Sequence, residues 1–280
     1  MQHQTATLKA SDGILLHTES WLPDSPPRAV ILFSHGIGEH IGRYPHVAAA
    51  FVEAGFAFYG LDHRTHGKSA GHPRCYFNTF QQVIDDLKQY LDQVRAAHPG
   101  LKIFLYGHSL GSLIAEVFTL QHQAELAGLI VTGTPLAVED AQPKLLVTAA
   151  GILNTLAPTL AVAKPVPGTA LSTDPAVGVA YNADPLVFHG DVSVRMGYHI
   201  LQQGRLVKSR AGEISLPLLI MHGQADVICP PAGSQILHDR VGSKDKTLTW
   251  WPGMCHEVHN EVDQAKVIAT AVEWVTNRLS

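Results

Sequence analysis

Apolar residues along the chain gather into short continuous runs, and the stretches between them place polar residues at helical spacing. Ala6 to Leu8 and Ile14 to Trp21, separated by Ser11-Asp12-Gly13, predict an N-terminal β-hairpin. Further runs follow at Ala29 to Ser34, Phe56 to Leu61, Ile103 to Tyr106, Leu129 to Thr132, Leu216 to Met221 and Thr247 to Trp251. Most of these are apolar at every position, as a strand must be when both its faces are covered. Helical segments fit between them at Pro45 to Ala54, Phe80 to Ala97, Leu110 to Gln123, Gly233 to Val241 and Asp263 to Arg278. Strand and helix in alternation predict an α/β fold, a mostly parallel central sheet with helices on both faces.

One interval breaks the rhythm. Between Thr134 and Leu216 no clear strand is visible, far beyond the usual connection of about 2–6 residues. Its first part places Leu145, Ile152, Leu156 and Leu160 near helical spacing, its Pro- and Gly-rich middle (AVAKPVPGTALSTDP) predicts irregular chain, and its last part is helical again. An insertion of this length above the carboxyl ends of parallel strands predicts a helical cap. The expected organisation is a core of residues 1–135 and 213–280 interrupted by a cap of residues 136–212. The cap's apolar stripe must either pack on the core or face lipid, so transient contact with a membrane or micelle through the cap is one expectation.

The strand at Ile103 to Tyr106 runs into Gly107-His108-Ser109-Leu110-Gly111 and then at once into a helical segment. A G-x-S-x-G arises by accident on the order of 0.1 times in a chain this long at ordinary Gly usage. Its placement between a buried strand and a helix makes it a nucleophile elbow, with Ser109 at the apex of a turn too tight for side chains at the glycines. A serine hydroxyl needs a base to take its proton and an acid to orient that base, and in this arrangement the order is Ser, Asp or Glu, His. Asp226 lies in the loop beyond the strand Leu216 to Met221, whereas Asp239 and Asp245 fall in a helix and in a turn before a strand. His256 lies in the loop after the last strand. His259 comes a turn later and reads as a packing or hydrogen-bonding residue. Two backbone N–H groups are needed for the oxyanion: Leu110, after the nucleophile, and Ile37, after the early strand that ends at His35-Gly36.

Composition narrows the class. A formal charge of −4 over 280 residues offers no basic field for nucleic acid. Three cysteines are too few and scattered for a disulfide framework or a zinc site, and Cys229, three residues after Asp226, is expected near the pocket. The N-terminus lacks a signal-peptide layout and no apolar stretch is long enough to span a bilayer, so a cytoplasmic protein, peripheral to a membrane at most, is expected. Asp62-His63-Arg64-Thr65-His66-Gly67 has the ingredients of a metal loop but not the spacing, and reads as a hydrogen-bonded turn. No phosphate-binding glycine motif is present, so no cofactor is expected.

Several of these blocks together resemble the monoacylglycerol lipase family of α/β-hydrolases, nearly end to end. Ser34-His35-Gly36-Ile37-Gly38-Glu39-His40 with Arg43-Tyr44 is similar to that family's SHGxGEHxxRY block, Asp62-His63 with His66-Gly67-Lys68-Ser69 to its DHxxHGxS loop, and Gly107 to Gly111 to its GHSxG elbow. Tyr181-Asn182-Ala183-Asp184-Pro185-Leu186 resembles its YNxDPL, and Asp226 and His256 fall where the family carries acid and base. The resemblance implies an α/β-hydrolase fold with an inserted cap and a monoacylglycerol ester hydrolase that needs no metal or organic cofactor. It also implies that Tyr181, Glu39 and Arg43 shape or contact the glycerol end of the pocket, although Glu39 and Arg43 could equally form an ion pair that holds the oxyanion loop. Lysophospholipases, other carboxylesterases, some aminopeptidases and a ligand-binding protein without turnover share the same elements and stay open.

Overall fold

Eight strands build the main sheet of the computed structural model, which describes residues 1–279. β1 (Gln2–Lys9) and β2 (Leu15–Leu22) form the N-terminal hairpin, with Leu8 opposite Leu16. β1 is longer than its apolar run because an edge strand is paired through its backbone, and its side chains from Gln2 to Thr7 stay exposed. The rest of the sheet is β3 (Val30–Ser34), β4 (Ala57–Leu61), β5 (Ile103–His108), β6 (Gly128–Thr132), β9 (Leu218–Gly223) and β10 (Lys246–Trp251). The spatial order is β1-β2-β4-β3-β5-β6-β9-β10, antiparallel across β1, β2 and β4 and parallel from β4 to β10.

Successive residues of each central strand feed opposite faces, which is why the runs are apolar throughout. Leu32, Leu105, Val131 and Ile220 pack with α2 (Phe80–Ala97) and α3 (Leu110–His122) on one face. Phe33, Phe104, Tyr106, Ile130 and Met221 pack with α1 (Pro45–Glu53) and α8 (Gln264–Thr276) on the other. α2 starts where a capping box says it should. Thr79 accepts from the Gln82 backbone N–H and the Gln82 side chain accepts from that of Thr79.

Between β6 and β9 lie α4 (Lys144–Leu156), β7 (Ala161–Ala163), α5 (Pro175–Ala183), β8 (Val192–Ser193) and α6 (Val194–Arg210); α7 (Ala232–Arg240) follows β9. The interval was expected to be strandless with an irregular middle. Instead β7, which opens the Pro- and Gly-rich stretch, pairs with β8 as a small antiparallel ribbon, and α5 starts at the last residue of that stretch. α5 carries its own start signal: Asp174 accepts from the Ala176 N–H at 2.9 Å, and Pro175 takes the first helical position. Only Gly178 and Tyr181 of this helix are buried, so it shows no apolar period.

Candidate active site

Ser109 sits between β5 and α3 with φ 55° and ψ −121°, a left-handed conformation that an L-residue adopts only under constraint. The constraint is the approach of α3 to the sheet. A Cβ at Gly107 would overlap the Gly111 carbonyl and stand 2.6 Å from the Ser112 Cα, and one at Gly111 would overlap the Ser34 carbonyl. Glycine at both positions lets the turn close and lifts the serine above the carboxyl edge of the sheet, at the N-terminus of α3.

The loops after β9 and β10 are laced together. Gln224 N donates to Trp251 O at 3.0 Å and Ala225 N to Met254 O at 2.9 Å, while a Cβ at Gly223 would strike the Cys255 carbonyl. This brings Asp226 against His256, whose Nδ1 lies 2.7 Å from Asp226 Oδ2. The other carboxylate oxygen, Oδ1, accepts from the N–H groups of Ile228 (2.8 Å) and Cys229 (2.9 Å). Burial alone would raise the Asp226 carboxyl, but the His256 charge and these donors hold it well below the usual carboxylate range. Burial likewise pulls His256 down, and the Asp226 carboxylate more than restores it, leaving the imidazole above its ordinary value. Because an ionised carboxylate only accepts, Nδ1 carries the proton and Nε2 of neutral His256 keeps its lone pair free.

The loop after β3 brings Ile37 beside Ser109. Neither the Ile37 nor the Leu110 N–H has a protein acceptor among the described residues, and both residues border the same cavity as Ser109. Glu39 pins the loop: it accepts from Gly36 N at 2.5 Å, Tyr44 OH at 2.6 Å and Arg43 Nη1 at 2.5 Å. Arg43 also grips Glu257, next to His256, through both carboxylate oxygens at 2.6 and 2.9 Å, and its guanidinium lies 4.9 Å from the centre of the Tyr181 ring. Arg43 therefore ties the loop that carries Ile37 to the loop that carries His256. Of its two partners Glu257, held bidentately, stays ionised despite burial, whereas burial and the neighbouring Glu257 raise Glu39.

Two cavities meet at Ser109. One, of about 260 Å³, is almost wholly apolar and runs from Ile37, Leu110 and Cys229 up into the cap between Val147, Leu153 and Leu201. The other, of about 10 Å³, has room for one water. It is bordered by the polar side chains of Glu39, His108, Tyr181, His256 and Glu257, together with the apolar ones of Val166 and Leu171. The inward face of α4 lines the large cavity, and the predicted stripe is on its outer face: Leu145, Ile152 and Leu156 are 83%, 62% and 77% exposed, with Leu160 beyond the helix 48% exposed. Cys229 lines the cavity, but burial pushes its thiol well above the usual value.

Residues 25–263 match the serine aminopeptidase S33 family. The chain belongs to this family. It is 35% identical over 267 residues to the monoacylglycerol lipase of Mycolicibacterium smegmatis, with 95% of each chain covered. It is 31% identical to the monoglyceride lipase of Rattus norvegicus, covering 96% of this chain and 89% of that one. Among solved structures, the Paleococcus ferrophilus monoacylglycerol lipase superposes with a TM-score of 0.85 at 28% identity, over 94% of this chain and 99% of that one. The fold is the α/β-hydrolase fold that the resemblance implied, built on the α/β alternation read from the sequence.

In this member of the family, His222 and Glu257 stand at the site without any motif that sequence reasoning picked out. His222, the penultimate residue of β9, places its Nε2 3.0 Å from Asp226 Oδ2. Its signal was a histidine closing an apolar strand four residues before the acid. Glu257 stands next to His256, but its partner Arg43 is 214 residues away. His40 Nε2 lies 2.9 Å from Asp184 Oδ2, and Phe188 N donates to Gly38 O at 2.7 Å, so the cap segment after α5 is clasped to the Ile37 loop. The Asp62 turn is used as a brace: Oδ1 accepts from Ile41 N (2.8 Å) and Oδ2 from Lys68 N (2.7 Å). No cluster of three metal-ligating side chains occurs among the described residues.

Proposed function

We propose that the protein is a serine hydrolase that cleaves the ester bond of monoacylglycerols, releasing glycerol and a fatty acid through an acyl-enzyme. The observation that carries this is the position of Ser109 at the foot of a large apolar cavity, with the polar side chains of Glu39, Tyr181 and Glu257 gathered on its other side. A monoacylglycerol has the matching chemistry: a long hydrocarbon chain on one side of its carbonyl and a compact diol on the other. The names of the relatives support the same substrate. Residues 136–212 act as the cap that walls the acyl cavity, over a core of residues 1–135 and 213–280.

Ser109 attacks the carbonyl while His256 Nε2 takes its proton and Asp226 holds the ring in the useful tautomer. The tetrahedral oxyanion rests on the N–H groups of Ile37 and Leu110, in the field of the α3 N-terminus. The protonated His256 then gives its proton to the departing glycerol oxygen. A water deprotonated by the same imidazole releases the fatty acid. Tyr181 and Glu39 border the glycerol side, and Arg43 supports them from behind.

Two features argue against neighbouring substrates. An anionic phosphate headgroup would meet Glu39 and Glu257, and a peptide N-terminal ammonium would find both carboxylates already bound to Arg43. Side-by-side turnover of a monoacylglycerol, a lysophospholipid, a simple ethyl ester and an aminoacyl amide tests the assignment, with fluorophosphonate labelling lost in Ser109→Ala. Preference for the lysophospholipid or the amide would overturn it, as would labelling without turnover.

A further inference from the structure

Asp226 is held by two histidines. Its Oδ2 faces His256 Nδ1 at 2.7 Å and, from β9, His222 Nε2 at 3.0 Å. The side chains of His222 and Asp226 are completely buried. His222 Nε2 also faces the Cys229 carbonyl at 2.9 Å, so this nitrogen has acceptors on both sides and must carry a proton. In neutral imidazole Nδ1 is then an acceptor, and it takes the Ser234 hydroxyl proton from α7 at 2.6 Å. One direction of donation runs through the whole chain: Ser234 to His222, His222 to Asp226, with His256 donating to the same oxygen from the other side.

We infer that His222 is a positioning residue for the Asp226–His256 pair. Its Nε2–H fixes the carboxylate that orients His256 and draws off part of the negative charge on the oxygen that His256 uses. Resting on the triad proposed above, this has a consequence that a merely structural histidine would lack. With the second donor gone, Oδ2 binds the protonated His256 more strongly, so the imidazole gives up its proton at higher pH. The other ionisable groups around His256 are His108 from β5, Glu39 and Arg43 from the loop after β3, and Glu257 from its own loop. Around His222 itself stand Asp226, Cys229 and the hydroxyl of Ser234. A substitution at residue 222 leaves all of them in place.

The test is the pH profile of kcat/KM on a water-soluble ester for His222→Gln, His222→Asn and His222→Leu. Glutamine keeps an N–H donor where Nε2 stands and should keep the rising limb where the wild type has it. Asparagine reaches only as far as Nδ1, and leucine donates nothing. Both should move the limb upward by roughly half to one pH unit, a fraction of what a hydrogen bond to a charged acceptor contributes, and lower the plateau. Asparagine is small and polar, so the comparison survives if the leucine variant does not fold. A limb unmoved in the asparagine variant, or moved as far by glutamine as by asparagine, would overturn the role of His222. Asp226→Asn, run alongside, separates this from the triad itself: full activity there brings down the triad, whereas crippled activity with an unmoved limb at the 222 variants brings down only His222.

Discussion

Deleting one oxygen from Tyr181 isolates the glycerol side of the site, because the ring stays under the Arg43 guanidinium. One neutral hydrogen bond contributes enough that kcat/KM of Tyr181→Phe should fall roughly two- to twelve-fold on a monoacylglycerol. The matching ethyl ester has no hydroxyl to lose and should be nearly unaffected; parallel losses on both would make Tyr181 a wall of the cap only. As the proposed base, His256 should set the pH dependence. Its proton is held above the ordinary histidine range by Asp226, so the neutral base appears, and activity rises, above the reference value of about 6.5. A limb centred well below that value in wild-type kcat/KM would contradict the pairing. Glu116, fully buried on α3 with neither oxygen hydrogen-bonded, is raised by burial to about 8. The folded protein therefore binds this proton more tightly than the unfolded chain, so its contribution to stability is intact below about 4.5 and is lost as pH rises to about 8. Glu116→Gln should accordingly gain melting temperature over the wild type at pH 9 but not at pH 4, and an equal difference at both would refute the burial argument. Nothing in the sequence marked Glu116: it sits in an amphipathic run next to the elbow, and only the tertiary structure shows that its side of the helix is dry. Ser109, Asp226 and His256 were legible as candidates because each follows the carboxyl end of a strand. Glu257 and His222 were not, since their partners are fixed by loop packing.

Helices and strands repeat the contrast. The central strands and α2 could be read from the sequence because burial on both faces, or on one stripe, writes a pattern that nothing else in the chain imitates. α5 and the β7–β8 ribbon could not, because the cap has little interior of its own and leaves β7 exposed at every position. In α6 the decisive residue is a glycine with no such signature. Gly197 closes the first turn of the helix, where glycine costs up to about 1 kcal/mol relative to alanine, yet it borders the acyl cavity and a Cβ there would meet nothing within 4 Å. Space for the chain is the evident use of the missing side chain. Gly197→Leu should fold at least as well as the wild type and project into the cavity. Turnover of a long-chain ester should then drop by roughly ten-fold or more, with a butyrate ester within about two-fold. Equal turnover of both esters by the variant would show that the acyl chain takes another route.

At the scale of the whole molecule, the cap has two faces with opposite duties. The inner face of α4 offers Val147 and Leu153 to the acyl cavity, while Leu145, Ile152 and Leu156 project outward into water with no protein over them. Among the described residues, no helix is long and apolar enough to cross a membrane. If the outer stripe rests on a lipid surface, as one expectation from the sequence has it, a monoacylglycerol would pass from that surface into the cavity beneath. Leu156→Asp tests that geometry. The residue is 77% exposed, so the substitution should change folding stability by no more than about 0.5 kcal/mol. Burying a leucine side chain in lipid is worth about 1.5–3 kcal/mol, so binding to phospholipid vesicles should weaken by roughly 10- to 100-fold. Turnover of monoacylglycerol dispersed in those vesicles should fall with it, while turnover of a monomeric butyrate ester stays at the wild-type rate because the cavity and the triad are untouched. Equal losses on both substrates, together with a lowered melting temperature, would place the stripe in the folding of the cap rather than at a lipid surface. Unchanged vesicle binding would show that the protein meets its substrate in solution.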